Sequence, residues 1–317
     1  MTSDPYYDAL RKAQAEAGDA SAMMPAELLA KLMPSATPDP SYAWPEIEPL
    51  EDVVAGKDGH KVPVRVYRPD GQESGGPLPL ILWLHGGGWV ELGHDTPGGD
   101  NEAIEVCRRL GAVVVSPDYR LAVEGVWYPG PLDDVLAAWH WALEHCAEWG
   151  ATDERTAIGG GSAGGNLAAG AALRLRDEGG PLPTALLLNV PPLHAVLPSF
   201  SPEERKELHM SDESERLWRV GLRLGLENYA GCPADEAPIY VTPGEADPAG
   251  LPPTLLISCE YDVLRASARV YEQSLANAGV RHQHLHLKGV GHGHTVAPWL
   301  PAARQTYEEM AAWLADA

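Results

Sequence analysis

The chain is 317 residues long, with 23 Lys and Arg against 45 Asp and Glu and a formal charge of −22. That balance argues against nucleic acid or an anionic membrane as partner, because both attract clustered positive charge. Hydrophobic residues at 44% and charged residues at 21% are those of a folded globular protein and exclude a disordered chain.

The first five residues, Met1-Thr2-Ser3-Asp4-Pro5, carry neither a basic nor an apolar leader pattern. Apolar runs such as Leu80 to Leu84 fall far short of the ~20 residues of a membrane span. The four cysteines, Cys107, Cys146, Cys232 and Cys259, form no C-x-x-C pair, so no zinc knuckle or thioredoxin motif is supported. Reduced thiols in a cytoplasmic protein are the expectation.

In chain order, residues 1–45 are Ala-rich and interrupted by Pro25, Pro34, Pro38 and Pro40, and read as short helices lying on another element. Residues 47–69 read as a β-hairpin, with a turn at Asp58-Gly59 and the alternation Val62, Val64, Val66. Leu80–Leu84 is a continuous apolar run, expected of a strand covered on both faces. A helix is predicted over Asn101–Leu110, a strand over Ala112–Val115 and a helix over Asp133–Trp149. A short strand at Thr156–Ile158 enters a glycine cluster, and a small-residue helix follows over Asn166–Arg176. Further strands are predicted at Ala185–Val190, Thr254–Ser258 and His282–Leu287, and further helices at Ala266–Ala278 and Ala302–Ala315. This alternation implies an α/β fold with a mostly parallel central sheet flanked by helices.

The alternation breaks between about Pro191 and Pro253. That stretch holds an acidic helix around Ser201–Leu217, a second around Arg219–Tyr229 and a Pro/Gly-rich return. It is too long for a plain connection. It reads as an insertion above the carboxyl ends of the strands, where open α/β sheets bind ligands.

Two motifs carry chemistry. Gly160-Gly161-Ser162-Ala163-Gly164 lies between a strand and a helix, the context of a G-x-S-x-G nucleophile elbow. A connecting loop or a phosphate cradle would use similar glycines, but the Lys-Ser/Thr of a P-loop and the spacing of a dinucleotide fingerprint are absent. The second motif, His85-Gly86-Gly87-Gly88-Trp89, directly follows the strand ending at Leu84. Its glycines let the backbone point N–H groups outward, as an oxyanion requires. A flexible loop, or His85 as a metal ligand, are the alternatives, and no second ligand stands at metal spacing.

With these motifs, Asp118-Tyr119-Arg120-Leu121-Ala122, Tyr261-Asp262-Val263-Leu264-Arg265 and His292-Gly293 follow in order. From about residue 45 to its end the chain resembles the hormone-sensitive-lipase-like (bacterial family IV) carboxylesterases of the α/β-hydrolase fold. The resemblance implies a catalytic core of residues 46–190 and 251–317, covered by a helical cap built from residues 1–45 and 191–250. It implies Ser162 as nucleophile, Asp262 as triad acid and His292 as general base. The backbone N–H groups of Gly87, Gly88 and Ala163 would form the oxyanion hole, with His85 structural. His294 and Glu260 are the rivals for base and acid. His282, His284 and His286 alternate along one strand; a polar strand face is the expectation and a metal site the alternative.

The sequence departs from the family at three places. Gly161 stands where an Asp or Glu usually precedes the nucleophile, His294 where an aromatic usually follows His-Gly, and Val123-Glu124 where Pro-Glu usually continues Asp-Tyr-Arg-Leu-Ala. The expected function is hydrolysis of short acyl or aromatic esters through an acyl-enzyme on Ser162, with no cofactor and no metal. The expected partner is a small-molecule ester, and a homodimer is in keeping with the family. Two alternatives stand: the same triad used on an amide, lactone, carbamate or acyl transfer, or a non-catalytic receptor-like binding protein. Trp89 is the foremost candidate for the substrate pocket, with Trp44, Trp127, Tyr128, His194, Phe200 and Trp218 also in view.

Overall fold

The computed structural model describes residues 41–69, 76–96 and 99–317. The expected N-terminal cap segment, up to residue 40, lies outside the described residues. Eight strands are found among those described: β1 (Leu50–Ala55), β2 (Lys61–Tyr67), β3 (Leu78–Leu84), β4 (Val113–Pro117), β5 (Ala151–Gly161), β6 (Ala185–Asn189), β7 (Thr254–Tyr261) and β8 (His282–Gly291). They form one sheet in the order β1-β2-β4-β3-β5-β6-β7-β8. The β1/β2 and β2/β4 pairs are antiparallel and every other pair is parallel. The predicted hairpin is therefore present, and the α/β-hydrolase sheet follows it.

Helices α1 (Asn101–Leu110), α2 (Gly130–His145), α3 (Ala163–Glu178), α6 (Arg265–Asn277) and α7 (Pro301–Asp316) cover the sheet. Strand β3 shows why its sequence is apolar at every position. Leu80, Leu82 and Leu84 pack into one core with Leu132 and Val135 of α2, Leu167 of α3 and Tyr271 of α6. Ile81 and Trp83 point the other way, into a second core with Val106 of α1 and Tyr307 and Met310 of α7. A strand with helices on both faces has no solvent side on which to place polar residues.

Strand β5 is longer than Thr156–Ile158. Its first half carries Asp153 and Glu154 on an exposed edge and pairs with β3 only through a register shift. Its last residues, Gly159–Gly161, are glycines that read as turn but pair with β3 and β6.

The insertion differs from its expected helix boundary. A short helix α4 (Pro202–Glu207) is followed by one helix of 19 residues, α5 (Asp212–Ala230), so the break falls near His209 rather than between Leu217 and Arg219. Each helix begins with a serine cap. Ser201 Oγ accepts from the Glu204 N–H, and Ser211 Oγ from the Ser214 N–H. His209, at φ 48°, turns the chain between them.

The insertion is tied down at both roots by one buried side chain of α3. Asn166 Nδ2 donates to the carbonyls of Pro192, at 2.7 Å, and Val241, at 2.9 Å. Leu197, Phe200 and Leu208 of the insertion pack on Val263, Leu264 and Ala266 just after β7. No helix among the described residues is long and apolar enough to cross a membrane.

Candidate active site

Ser162 sits between the last residue of β5 and the first of α3, at φ 53° and ψ −117°. A non-glycine residue at this φ is strained, and the turn is held by its neighbours. The Ser162 N–H donates to the Asn189 carbonyl at 2.9 Å, and the Ser162 carbonyl accepts from the Asn166 N–H. The flanking glycines are a packing necessity. A Cβ on Gly164 would lie 2.0 Å from the Leu84 carbonyl oxygen, and one on Gly160 2.5 Å from the same atom. The start of α3 therefore rests directly on the end of β3, which brings the two sequence motifs side by side.

The Ser162 hydroxyl donates to His292 Nε2 at 2.9 Å. His292 Nδ1–H donates to Asp262 Oδ2 at 2.8 Å. The tautomer follows from the partner, because an ionised carboxylate only accepts. The other Asp262 oxygen accepts from the Leu264 N–H at 2.9 Å, which fixes the carboxylate plane. Asp262 is buried and His292 half-buried, so the line runs from the core to the rim of the sheet. Burial pulls the His292 imidazole down. The charge and hydrogen bond of Asp262, with the charge of Glu102, outweigh it and leave His292 above its ordinary value.

The glycine loop lies against this line. A Cβ on Gly86 would be 3.5 Å from Ser162 Cβ. Gly87, at φ 98°, and Gly88, at φ 59°, take left-handed backbone, and a Cβ on Gly87 would meet the Glu91 carbonyl oxygen at 2.0 Å. Among the described residues, no backbone acceptor takes up the N–H groups of Gly87, Gly88 or Ala163. Ala163 is the first residue of its helix, where N–H groups are unpaired by construction and the dipole is positive.

The loop is braced from beneath. The His85 ring stacks on Tyr119 at 4.2 Å, its Nδ1–H donates to the Gly86 carbonyl, and the Tyr119 hydroxyl donates to the His85 carbonyl at 2.8 Å. The Ala122 N–H donates to the Trp89 carbonyl at 2.6 Å. Arg120 clamps the buried Asp134 with two hydrogen bonds of 2.8 Å. The Asp118–Ala122 motif is thus the support of the glycine loop.

The rivals face elsewhere. His294 is fully buried, with Nδ1 at Cys259 Sγ and Nε2 at the Thr306 hydroxyl, and burial together with the charge of His292 pushes it down to about 4. Glu260 accepts from the Gly289 N–H at 2.5 Å, on the edge of β8. In the histidine stripe, Ser258 Oγ contacts His284 Nε2 at 2.8 Å, and His284 Nδ1 contacts Glu272 at 2.7 Å. That arrangement copies a triad on paper. Ser258 is only 2% exposed, however, it lies inside β7, and its hydroxyl is shared with His286. No cluster of three metal-ligating side chains occurs among the described residues.

Two of the pocket candidates line a cavity beside the glycine loop. Trp89, stacked on Tyr229 at 5.1 Å, and His194 meet there with Leu193, Leu197, Leu222 and Leu264. Its volume is about 20 Å³, room for roughly one water molecule. The other candidates serve packing. Trp44 packs edge-on against Tyr42 and Trp299, Trp127 covers Gly231, Tyr128 meets the edge of Tyr229, and Phe200 lies under Arg219. Trp218 is 36% exposed on α5 and does not line the cavity. Aromatic identity alone does not separate a pocket wall from a core contact. The leucines of α5, at helical spacing, are the signal that was available.

The family model for the alpha/beta hydrolase fold matches residues 81–296. The chain belongs to the α/β-hydrolase family. Within it, this hydrolase falls in the hormone-sensitive-lipase-like branch that its motifs resemble. Carboxylesterase NlhH of Mycobacterium tuberculosis is 36% identical over 249 residues, 76% of this chain and 73% of that protein. Esterase LipI of the same organism is 33% identical over 273 residues, 82% and 79% of the two chains. Among solved structures, an esterase of Pyrobaculum calidifontis is similar at a TM-score of 0.73 and 28% identity, over 97% of this hydrolase and 92% of that chain. A bacterial heroin esterase is similar at 0.72 and 29%, over 98% and 92%.

Proposed function

We propose that this hydrolase is a carboxylesterase that cleaves small-molecule esters through an acyl-enzyme on Ser162. The observation that carries the reading is the unbroken hydrogen-bond line from Asp262 through His292 to Ser162, ending beside unpaired backbone N–H groups. The names of its relatives, esterases and carboxylesterases, agree with it.

In acylation the Ser162 oxygen attacks the ester carbonyl while His292 Nε2 takes its proton. The carbonyl oxygen becomes negative and is held by the N–H groups of Gly87, Gly88 and Ala163. His292 then returns the proton to the departing alkoxide, which leaves as the alcohol. Water, deprotonated by His292, attacks the acyl-Ser162 carbonyl and releases the carboxylic acid. Asp262 keeps the imidazole in the tautomer that presents a bare Nε2 and stabilises the imidazolium that forms twice in each cycle.

Residues 191–250 act as a cap over this site, and residues 46–190 and 251–317 as the catalytic core. The cavity behind Trp89 has room for about one water only, so a long acyl chain finds no ready-made space there and short chains are favoured. Each added CH₂ offers only ~0.8 kcal/mol of burial, so exclusion by the leucine walls sets the limit. Four cysteines joined in no disulfide, three of them buried, agree with a reducing cytoplasm.

Release of p-nitrophenol from acetate, butyrate, octanoate and decanoate esters tests this function. Turnover of acetate and butyrate with a steep fall at the longer chains is the expected result. Hydrolysis of none of the four would reject it.

A further inference from the structure

Gly161, the residue before Ser162, leaves a space that another part of the chain fills. A Cβ at position 161 would lie 3.1 Å from Glu102 Oε2 and 3.5 Å from Oε1. Glu102 comes from the first turn of α1, and its carboxylate takes up the volume that a side chain at 161 would occupy.

The same carboxylate is bonded to the turn that carries His292. Thr295 Oγ1 donates to Glu102 Oε1 and accepts from Asn189 Nδ2 at 3.0 Å. The direction of this relay is fixed by chemistry, since an amide NH₂ only donates and an ionised carboxylate only accepts. The Thr295 carbonyl accepts from the Tyr307 hydroxyl at 3.2 Å. Thr295 is thus gripped by α1, by the end of β6 and by α7, three residues from His292. Asn189 also holds the Ser162 N–H through its carbonyl. One short chain of hydrogen bonds therefore links the nucleophile turn, the histidine turn and α1.

We propose that Glu102 is a positioning residue for His292: through Thr295 it holds the 292–295 turn, and it sets a second negative charge beside the imidazole. The inference rests on the esterase reading above and adds to it a group that touches neither substrate nor the reacting atoms. Asp262 faces His292 from the loop after β7, Glu102 from α1 and His294 from the same turn. Tyr307 faces Glu102 from α7, with its hydroxyl pushed up by burial and by that charge. Burial raises the Glu102 carboxyl above its ordinary value, and the Thr295 hydroxyl and the charge of His292 offset only part of that rise. The second charge favours the imidazolium, the form His292 must take while Ser162 is attacking.

The pH dependence of kcat/KM for p-nitrophenyl acetate separates this role from packing. Glu102→Gln keeps the shape and an oxygen for Thr295 but removes the charge. A several-fold fall in kcat, little change in KM and a move of the acid limb to lower pH are expected. The double variant Glu102→Ala with Gly161→Asp returns a carboxylate to the same space from the neighbouring backbone, where Gly161 does not use left-handed φ. Its acid limb is expected back near that of the unaltered enzyme. An acid limb left in place by Glu102→Gln, or a double variant that folds and keeps the shifted limb, would overturn the proposal. Either result would leave the esterase reading standing as long as turnover still depends on Ser162. Equal turnover with and without Ser162 would instead sink that reading first.

Discussion

Ser162→Ala is expected to lower kcat for p-nitrophenyl butyrate by on the order of 10⁶, with the fold unchanged. The size of the loss follows from the division of labour. The alanine keeps the Cβ that the turn already accommodates at φ 53°, so the strained elbow and its hydrogen bond to Asn189 have no reason to rearrange. Only the hydroxyl and its bond to His292 disappear. With no oxygen to acylate, the remaining groups can orient substrate and polarise its carbonyl, which leaves about 10³–10⁴ over water. Steady-state kinetics together with the far-UV spectrum and melting curve check both halves of the statement. Activity within tenfold of the unaltered enzyme would remove Ser162 from the mechanism.

Asp262→Asn is expected to cost about 10⁴ in kcat and to move the pH profile. An amide at this position can offer His292 Nδ1 an NH₂ donor, which favours the tautomer with the proton on Nε2. That nitrogen can then no longer accept from Ser162. The sign of the pH effect follows from the causes acting on His292. The base works when neutral, so activity is lost as pH falls through the imidazole pKa. In the unaltered enzyme that pKa lies above its ordinary value because Asp262, aided by Glu102, outweighs burial. The acid limb of kcat/KM should therefore sit above about 6.5, the value of a free imidazole. Without the Asp262 charge, burial gains ground and the limb moves to lower pH, on top of the lower plateau. A profile of kcat/KM from pH 4 to 9 for both enzymes measures this. A limb that stays in place, or moves up, would mean that another group controls the ionisation.

Much of the fold was legible because the constraints are local. Helix α1 begins and ends where its sequence predicts, and the alternation Val62, Val64, Val66 does bury one face of β2. The glycines at 87, 160 and 164 were legible for a related reason. Each marks a place where a Cβ would collide with a backbone oxygen within a few ångströms, and such a place tolerates no other residue. What the sequence leaves open is decided by packing between distant segments. The boundary between α4 and α5 is set by the cap at Ser211, a weaker signal than the apolar periodicity running past it. The pocket walls combine Leu222 and Leu226 of α5 with Leu193, Leu197 and Leu264 from distant segments, and the tryptophans scattered along the chain carry no mark of that choice. Glu102 and Thr295 lie 193 positions apart and Asn189 and Thr295 lie 106 apart, so nothing in the sequence near any of them announces the contact. The absent acid at 161 was visible as a departure from the family pattern, while its occupant became visible only in three dimensions.

The most direct test of the account is to locate a covalent adduct. The protein would be treated with a p-nitrophenyl phosphonate, digested and mapped by mass spectrometry. The account predicts one phosphonyl group per chain, on Ser162, because among the described residues it is there that a histidine-bonded hydroxyl stands beside the N–H groups of Gly87, Gly88 and Ala163, which no backbone acceptor takes up. An adduct on another side chain, Ser258 with its own histidine and glutamate included, or no adduct from an enzyme that hydrolyses esters, would contradict it.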